Sequence, residues 1–188
     1  MLQTERLIFK EVQLSDAENI HQLNLLEPVN RYNTLVPPVT FADTEQMVSG
    51  WVNTSMAHPG STFVFTISIK EPVKFIGLFG ITRGKPKYRS AEFWFKFHPD
   101  FWNRGFATES IKCALHFCFI DLQLHRVEAG CAVENIASAR ALEKSGFVLE
   151  GRTRKKLPIG GEWHDNFEYS VLEEEYFRIQ SNLQNHAE

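Results

Sequence analysis

From Ser61 to Lys70 apolar residues fall on alternate positions: Phe63, Phe65, Ile67 and Ile69 are separated by smaller or polar ones. A period of two is that of a half-buried strand. Similar runs predict strands over Leu2–Val12, with Leu7, Ile8 and Phe9 at its centre, and over Val73–Arg83 and Ala91–Phe97. Three more are predicted over His125–Val133, Phe147–Lys156 and Trp163–Leu172. Elsewhere the spacing is helical. Ser15-Asp16-Ala17-Glu18 reads as a capping box that opens a helix to about Leu26, ended by Glu27-Pro28. Asp43 caps a second helix to Ala57, with Gln46 three residues on. A third follows Gly105, with apolar residues at 107, 111, 114, 115, 118 and 119. Asn135 caps a fourth, from Ile136 to Ser145, and Gly146 stops it. Pro28, Pro37 and Pro38 make 28–41 an ordered loop, and Gly84–Tyr88 reads as a hairpin loop. Gly77 and Gly80, inside a strand, predict a bulge or a close approach by another segment.

The order β-α-α-β-β-β-α-β-α-β-β predicts a mixed α/β fold, a central sheet flanked by helices. With 188 residues a single domain is expected over 1–180, with 181–188 a loose tail or a frayed helix end. Hydrophobic residues make up 43% and charged residues 23%, the balance of an ordinary soluble protein. The net charge of −3 argues against nucleic acid as the main partner. The run Arg152–Lys156 is the local exception, read either as a solvated strand end or as a contact for an anionic cofactor or acidic partner. Three cysteines without C-x-x-C spacing indicate neither a disulfide framework nor a zinc site. Seven scattered histidines without an H-E-x-x-H pattern add no metal site. No apolar run of spanning length and no signal peptide is seen, so the expected setting is the cytoplasm, away from membranes.

Candidate chemistry gathers between Ala91 and Ile120, which reads as strand, glycine turn and helix. The first N–H groups of a helix lack partners inside it and point one way, so such a corner is a natural phosphate site. Asn103, Arg104, Gly105, Phe106, Ala107 and Thr108 form the expected cradle. Gly105 lets the backbone approach a ligand, and Ala107 keeps the next position small. Neither the G-x-x-x-x-G-K-[ST] nor the G-x-G-x-x-G motif is present.

The stretch W-N-R-G-F-A-T-E-S resembles the pyrophosphate loop of the GNAT superfamily of N-acetyltransferases, and more closely its Rim-type branch, which acetylates N-terminal residues of ribosomal proteins. Gly105 and Ala107 match that loop, while Trp102 stands where Gln or Arg is usual. T-E-R-L at 4–7, V-E-N-I-A-S-A-R-A-L-E-K-S-G-F at 133–147 and E-W-H-D-N-F-E-Y-S at 162–170 extend the resemblance over nearly the whole chain. The resemblance implies a GNAT-like fold in which the strands at 91–97 and 125–133 splay apart around acetyl-CoA. It also implies backbone donors to the thioester carbonyl near Phe97 and His98, pantetheine along the same strand and pyrophosphate on 103–108. Dimers are frequent in that family, so a homodimer is a prior for this chain.

Acetyl transfer to an amine needs a polarised carbonyl, a base for the amine and an acid for the thiolate. Asn135 reads as a helix cap, and the resemblance adds a contact with pantetheine or the acyl group. Ser138 reads as a local hydrogen-bonding residue, and in the Rim-type enzymes the matching Ser is the acid for the coenzyme A thiolate. Other members use a Tyr where this chain has Leu142. Leu157 occupies the place of the carboxylate base of the ribosomal-protein members. Glu92 is the replacement, as a base through water or else a structural ion pair. Asp165 matches an Asp that orients the acceptor amine. An α-amine, of pKa about 8, asks less of a base than a lysine side chain. This reading gives direct transfer to a primary amine, with a protein N-terminus as first choice of acceptor. The alternatives are a small amine of polyamine or aminoglycoside-like type, and a non-catalytic acyl-CoA-binding protein.

Overall fold

The computed structural model describes residues 2–34 and 36–185. One eight-stranded sheet carries the chain: β1 (Leu2–Gln3), β2 (Leu7–Glu11), β3 (Thr62–Ile69), β4 (Lys74–Arg83), β5 (Ser90–Phe97), β6 (Arg126–Ala132), β7 (Val148–Ile159) and β8 (Glu162–Leu172). Its order is β1-β2-β3-β4-β5-β6-β8-β7, antiparallel throughout except between β5 and β6. Among the described residues six α-helices accompany it: α1 (Ala17–Asn24), α2 (Glu27–Asn30), α3 (Phe41–Ala57), α4 (Phe106–His116), α5 (Ile136–Lys144) and α6 (Glu173–Asn185). This is the mixed α/β fold that the element order predicts.

Each sheet face packs its own core. On one side Phe9, Phe65, Phe79, Phe93 and Phe97 meet Ile111 and Leu115 of α4 and Leu142 of α5. On the other, Leu78 meets Ile20 and Leu23 of α1 and Val48 of α3. Burying a side chain of this size is worth about 1.5–3 kcal/mol. Period-two alternation therefore divides β5 between two environments. Ala91, Phe93, Phe95 and Phe97 face α4, while Glu92, Trp94 and Lys96 face α1 and α3.

Several predicted boundaries shift. The first strand is a hairpin, β1 and β2, because Thr4 closes a turn: its N–H donates to the Leu7 carbonyl and its hydroxyl accepts from the Leu7 N–H. The capping box before α1 is formed by Gln13 and Asp16 around a 3-10 turn, not by Ser15 and Glu18. Pro28 sits in the first turn of α2, where its missing N–H costs nothing, so the residues after Leu26 begin a short helix. Thr40, not Asp43, caps α3, with Asp43 returning the bond to the Thr40 N–H. Helix α6 is absent from the predicted order. Three glutamates in its first turn are its signal, and its Tyr176 ring lies 5.0 Å from Phe119. Residues 181–185 continue α6, and 186–188 lie outside the described residues.

The Gly80 expectation is met as a close approach. A Cβ there would come within 2.0 Å of the Trp94 indole, which lies across it and meets Trp51 of α3 with ring centres 5.8 Å apart. Gly77 stands beside an irregularity in the β3–β4 register.

Candidate functional site

The parallel pairing of β5 with β6 runs only from Ser90↔Arg126 to Phe93↔Ala129. Beyond Phe93 the two strands part, while both keep their outer neighbours: β5 pairs with β4 to Phe97, and β6 with β8 to Ala132. The His98 N–H donates to the Ile76 carbonyl on β4 at 2.8 Å. Backbone groups alternate in direction along a strand, so those of Phe95 and Phe97 point into the gap. His98, expected beside Phe97 as a backbone donor, thus has its N–H engaged by β4. The Val133 N–H donates to the Asp165 carbonyl, and the same alternation turns Gly130 toward the gap from the β6 side. Unpaired strand edges inside a fold leave donors and acceptors that water, a side chain or a ligand satisfies. An extended amide chain such as pantetheine suits them.

At the end of β5 the chain turns through Pro99–Phe101 and reaches α4 by way of Asn103 (φ 59°) and Gly105 (φ 80°). No side chain caps α4 at Gly105, and the first bond inside the helix is Glu109 N–H to the Gly105 carbonyl. The N–H groups of Phe106, Ala107 and Thr108 are thus left for a ligand. The predicted cradle and the gap are contiguous, and free amides beside a small residue fit a pyrophosphate.

Two locks hold this loop. The Trp102 indole donates to the Phe97 carbonyl at 2.7 Å, tying the loop to the end of β5. Glu109 accepts from the Thr4 hydroxyl, from the Arg6 N–H at 3.2 Å and from Arg6 Nε at 2.7 Å, and Arg6 also reaches the Arg104 carbonyl. Burial works against the Glu109 charge, but the Thr4 and Arg6 hydrogen bonds outweigh it and the pKa is lowered. The T-E-R-L segment at the start of the chain thereby fastens the first turn of α4. Sequence reading assigned it no role, since its partner lies more than a hundred residues away.

Across the gap, α5 begins just beyond β6 and packs beside α4. Asn135 caps it, accepting from the Ser138 N–H at 3.2 Å. Ser138 is half-buried, and its hydroxyl has no hydrogen bond among the described residues. Leu142 is 1% exposed, so no hydroxyl replaces the missing Tyr there.

Glu92 is exposed on the opposite face of β5 from α4 and has no ion-pair partner among the described residues. Asp165 is differently placed. It accepts from Arg152 Nε at 2.7 Å and from the Lys155 N–H at 2.9 Å, at a register break where Lys155 has φ 50°. The Lys155 N–H, then the Arg152 side chain, hold its pKa down. It is built into the β7–β8 hairpin. Leu157 is half-buried on β7, opposite His164. In the basic run, Arg152 and Lys156 pair with Asp165 and Glu168, and Lys155 Nζ reaches the Trp163 carbonyl, the reading of a tied strand end.

Cys118 and Cys131 are buried, and loss of solvent raises their thiol pKa values to about 12 and about 11. Neither is a nucleophile at neutral pH. Among the described residues, no three His, Cys, Asp or Glu side chains are grouped to hold a metal, and no helix is long and apolar enough to cross a membrane.

Residues 6–148 match the family described as an acetyltransferase (GNAT) domain. The uncharacterized N-acetyltransferase YnaD of Bacillus subtilis (strain 168) is 30% identical over 175 residues, 92% of this chain and 97% of that protein. A spermidine N(1)-acetyltransferase of Vibrio cholerae is 27% identical over 171 residues, covering 91% and 95%. The crystal structure of spermidine N-acetyltransferase from Vibrio cholerae in complex with CoA and spermine superposes with a TM-score of 0.81, at 27% identity, over 93% of this chain and 99% of that one.

Proposed function

Because this chain belongs to the GNAT family of N-acetyltransferases, which use acetyl-CoA, we propose that it passes the acetyl group directly to a primary amine, best a peptide or protein N-terminus. The observation that carries this reading is the continuous track from the free amides of α4 into the β5–β6 gap. Pyrophosphate takes the N–H groups of 106–108, and pantetheine pairs with the edges of β5 and β6. The Phe97 N–H is the one backbone donor of the expected pair left for the thioester oxygen.

Coenzyme A enters from the α4 face, so the amine approaches from the face that bears Glu92 and Trp94. Glu92 draws the amine proton through water. Ser138, with an uncommitted hydroxyl on the far wall, returns a proton to the departing thiolate. Asp165 acts by shaping the β7 bulge at the acceptor end rather than by accepting a proton. No acyl-enzyme forms, since loss of solvent keeps all three thiols, Cys113 included, protonated at neutral pH.

A polyamine acceptor is the second reading, favoured by the spermine-bound relative. Against it, two of the acids at the acceptor end are already paired, Asp165 with Arg152 and Glu168 with Lys156.

Thiol release from acetyl-CoA, corrected for hydrolysis, against peptides, polyamines and aminoglycosides decides the matter. Turnover on peptides that collapses in Ser138→Ala supports both the acceptor and the acid. Release only with polyamines overturns the peptide reading, and coenzyme A binding without release to any amine overturns transfer altogether.

A further inference from the structure

Lys96 is a charge among aromatic residues that the transfer chemistry leaves unused. It projects from β5 on the same face as Glu92 and Trp94, half-buried under α1. Its Nζ donates to Asn24 Oδ1 at 3.0 Å, and no carboxylate pairs with it among the described residues. Loss of solvent pushes its pKa down to about 8. An ammonium has three donors, and one is used.

The neighbours are short of partners too. Asn24 is 1% exposed, and its Nδ2 has no hydrogen-bond partner among the described residues. Asn30 donates to the Asn24 and Leu26 carbonyls, while its own buried Oδ1 has no partner among the described residues. Orphaned buried polar atoms are uncommon in native proteins and call for a water, an ion or a ligand.

The geometry points to a carboxylate-binding pocket formed by Lys96 and Asn24, so that the acceptor is an amine that also carries a carboxylate. This rests on the transfer reading above and narrows its substrate. The unused donors of the ammonium and of Asn24 Nδ2 match the oxygens of a carboxylate. A polyamine would bring a second cation against Lys96, with which no carboxylate pairs among the described residues. The carboxylate has two sources, the α-carboxylate of a free amino acid or an acidic side chain near the start of a peptide.

Two measurements test the pocket separately from the chemistry. First, thiol release is compared for free amino acids and their amides, for peptides with Glu or Gln at the second position, and for spermidine. A preference of at least tenfold in kcat/KM for one carboxylate source over its amide is expected. Lys96→Met should reduce that ratio at least tenfold. Asn24→Asp, which supplies Lys96 with an internal carboxylate, should do the same. A purely structural network, or a trapped water, would slow all acceptors alike and leave the ratio unchanged, which overturns the proposal. Second, N-acetylglutamate and its diamide are titrated calorimetrically into the coenzyme A complex. Tighter binding of the acid, lost in Lys96→Met, supports the pocket even without turnover, in which case only the transfer reading fails. Turnover with equal or better use of amides or spermidine overturns the pocket and leaves transfer standing.

Discussion

Arg6 and Glu109 form an ion pair between the first hairpin and the first turn of α4, and that pair holds the N-terminal end of the helix against the sheet. The Arg6 guanidinium also lies 4.5 Å from the centre of the Phe106 ring, the first residue of α4. Replacing Glu109 by Ala should raise the KM for acetyl-CoA several-fold, with a smaller change in kcat, and cost about 1 kcal/mol of stability. The Glu109 pKa is lowered on folding. Its contribution is therefore present above the ordinary carboxylate value of about 4.3 and lost as pH falls through the lower folded value. Chemical denaturation at neutral and acid pH, wild type against variant, checks the sign.

Gly105 holds φ 80°, a conformation in which any other side chain is strained, and a Cβ there would stand 3.5 Å from Arg6 Nη2. Gly105→Val should raise the KM for acetyl-CoA by about tenfold or more and cost roughly 1–2 kcal/mol. Steady-state kinetics with each substrate varied in turn should place the effect on acetyl-CoA. An equal rise for the amine would contradict the assignment.

Ser138 contributes its N–H, not its hydroxyl, to the Asn135 cap. Ser138→Ala therefore keeps the cap, and its melting temperature should stay within a degree or two of wild type. If the hydroxyl is the acid, kcat should fall about 10²-fold with little change in KM for acetyl-CoA. Loss of stability in step with activity would point to a packing role instead.

Gly80 makes room for Trp94. Gly80→Ala would set a methyl group 2.0 Å from indole atoms, and Trp94 would have to leave Trp51. A cost on the order of 2 kcal/mol is expected, read by urea unfolding. Tryptophan fluorescence should shift to the red as the pair opens.

The folded pKa of Lys96, about 8, lies below the value of about 10.4 expected in the unfolded chain. Between those values the unfolded state binds more protons, so stability should rise as pH increases across that window. The gain is on the order of 3 kcal/mol. Lys96→Met should lose this rise, so the difference between the two proteins should narrow from neutral pH to about pH 10. Unfolding curves at both ends measure it.

Local pattern by itself determined most of the sheet, because alternation and helical spacing are properties of neighbouring residues. The strands at 61–70, 73–83 and 91–97, the helix after Gly105 and the cap at Asn135 lie close to where the spacing places them. The strand–glycine–helix corner at Gly105 was legible for the same reason, since its parts are contiguous. The parting of β5 from β6 was implied by resemblance alone, because the pairing of two strands thirty residues apart leaves no mark on either. Tertiary structure alone decided that the His98 N–H is spent on β4, that Asp165 fastens a bulge, and that Trp102 ties its loop to Phe97. It also decided that Thr4, Arg6 and Glu109 meet, and that Lys96 stands half-buried beside Asn24 with no carboxylate paired to it among the described residues. Each of these depends on which face of a strand meets which helix and on where a distant segment ends. Hydrogen bonds and buried charges are settled by such three-dimensional company, which the linear order of residues does not record.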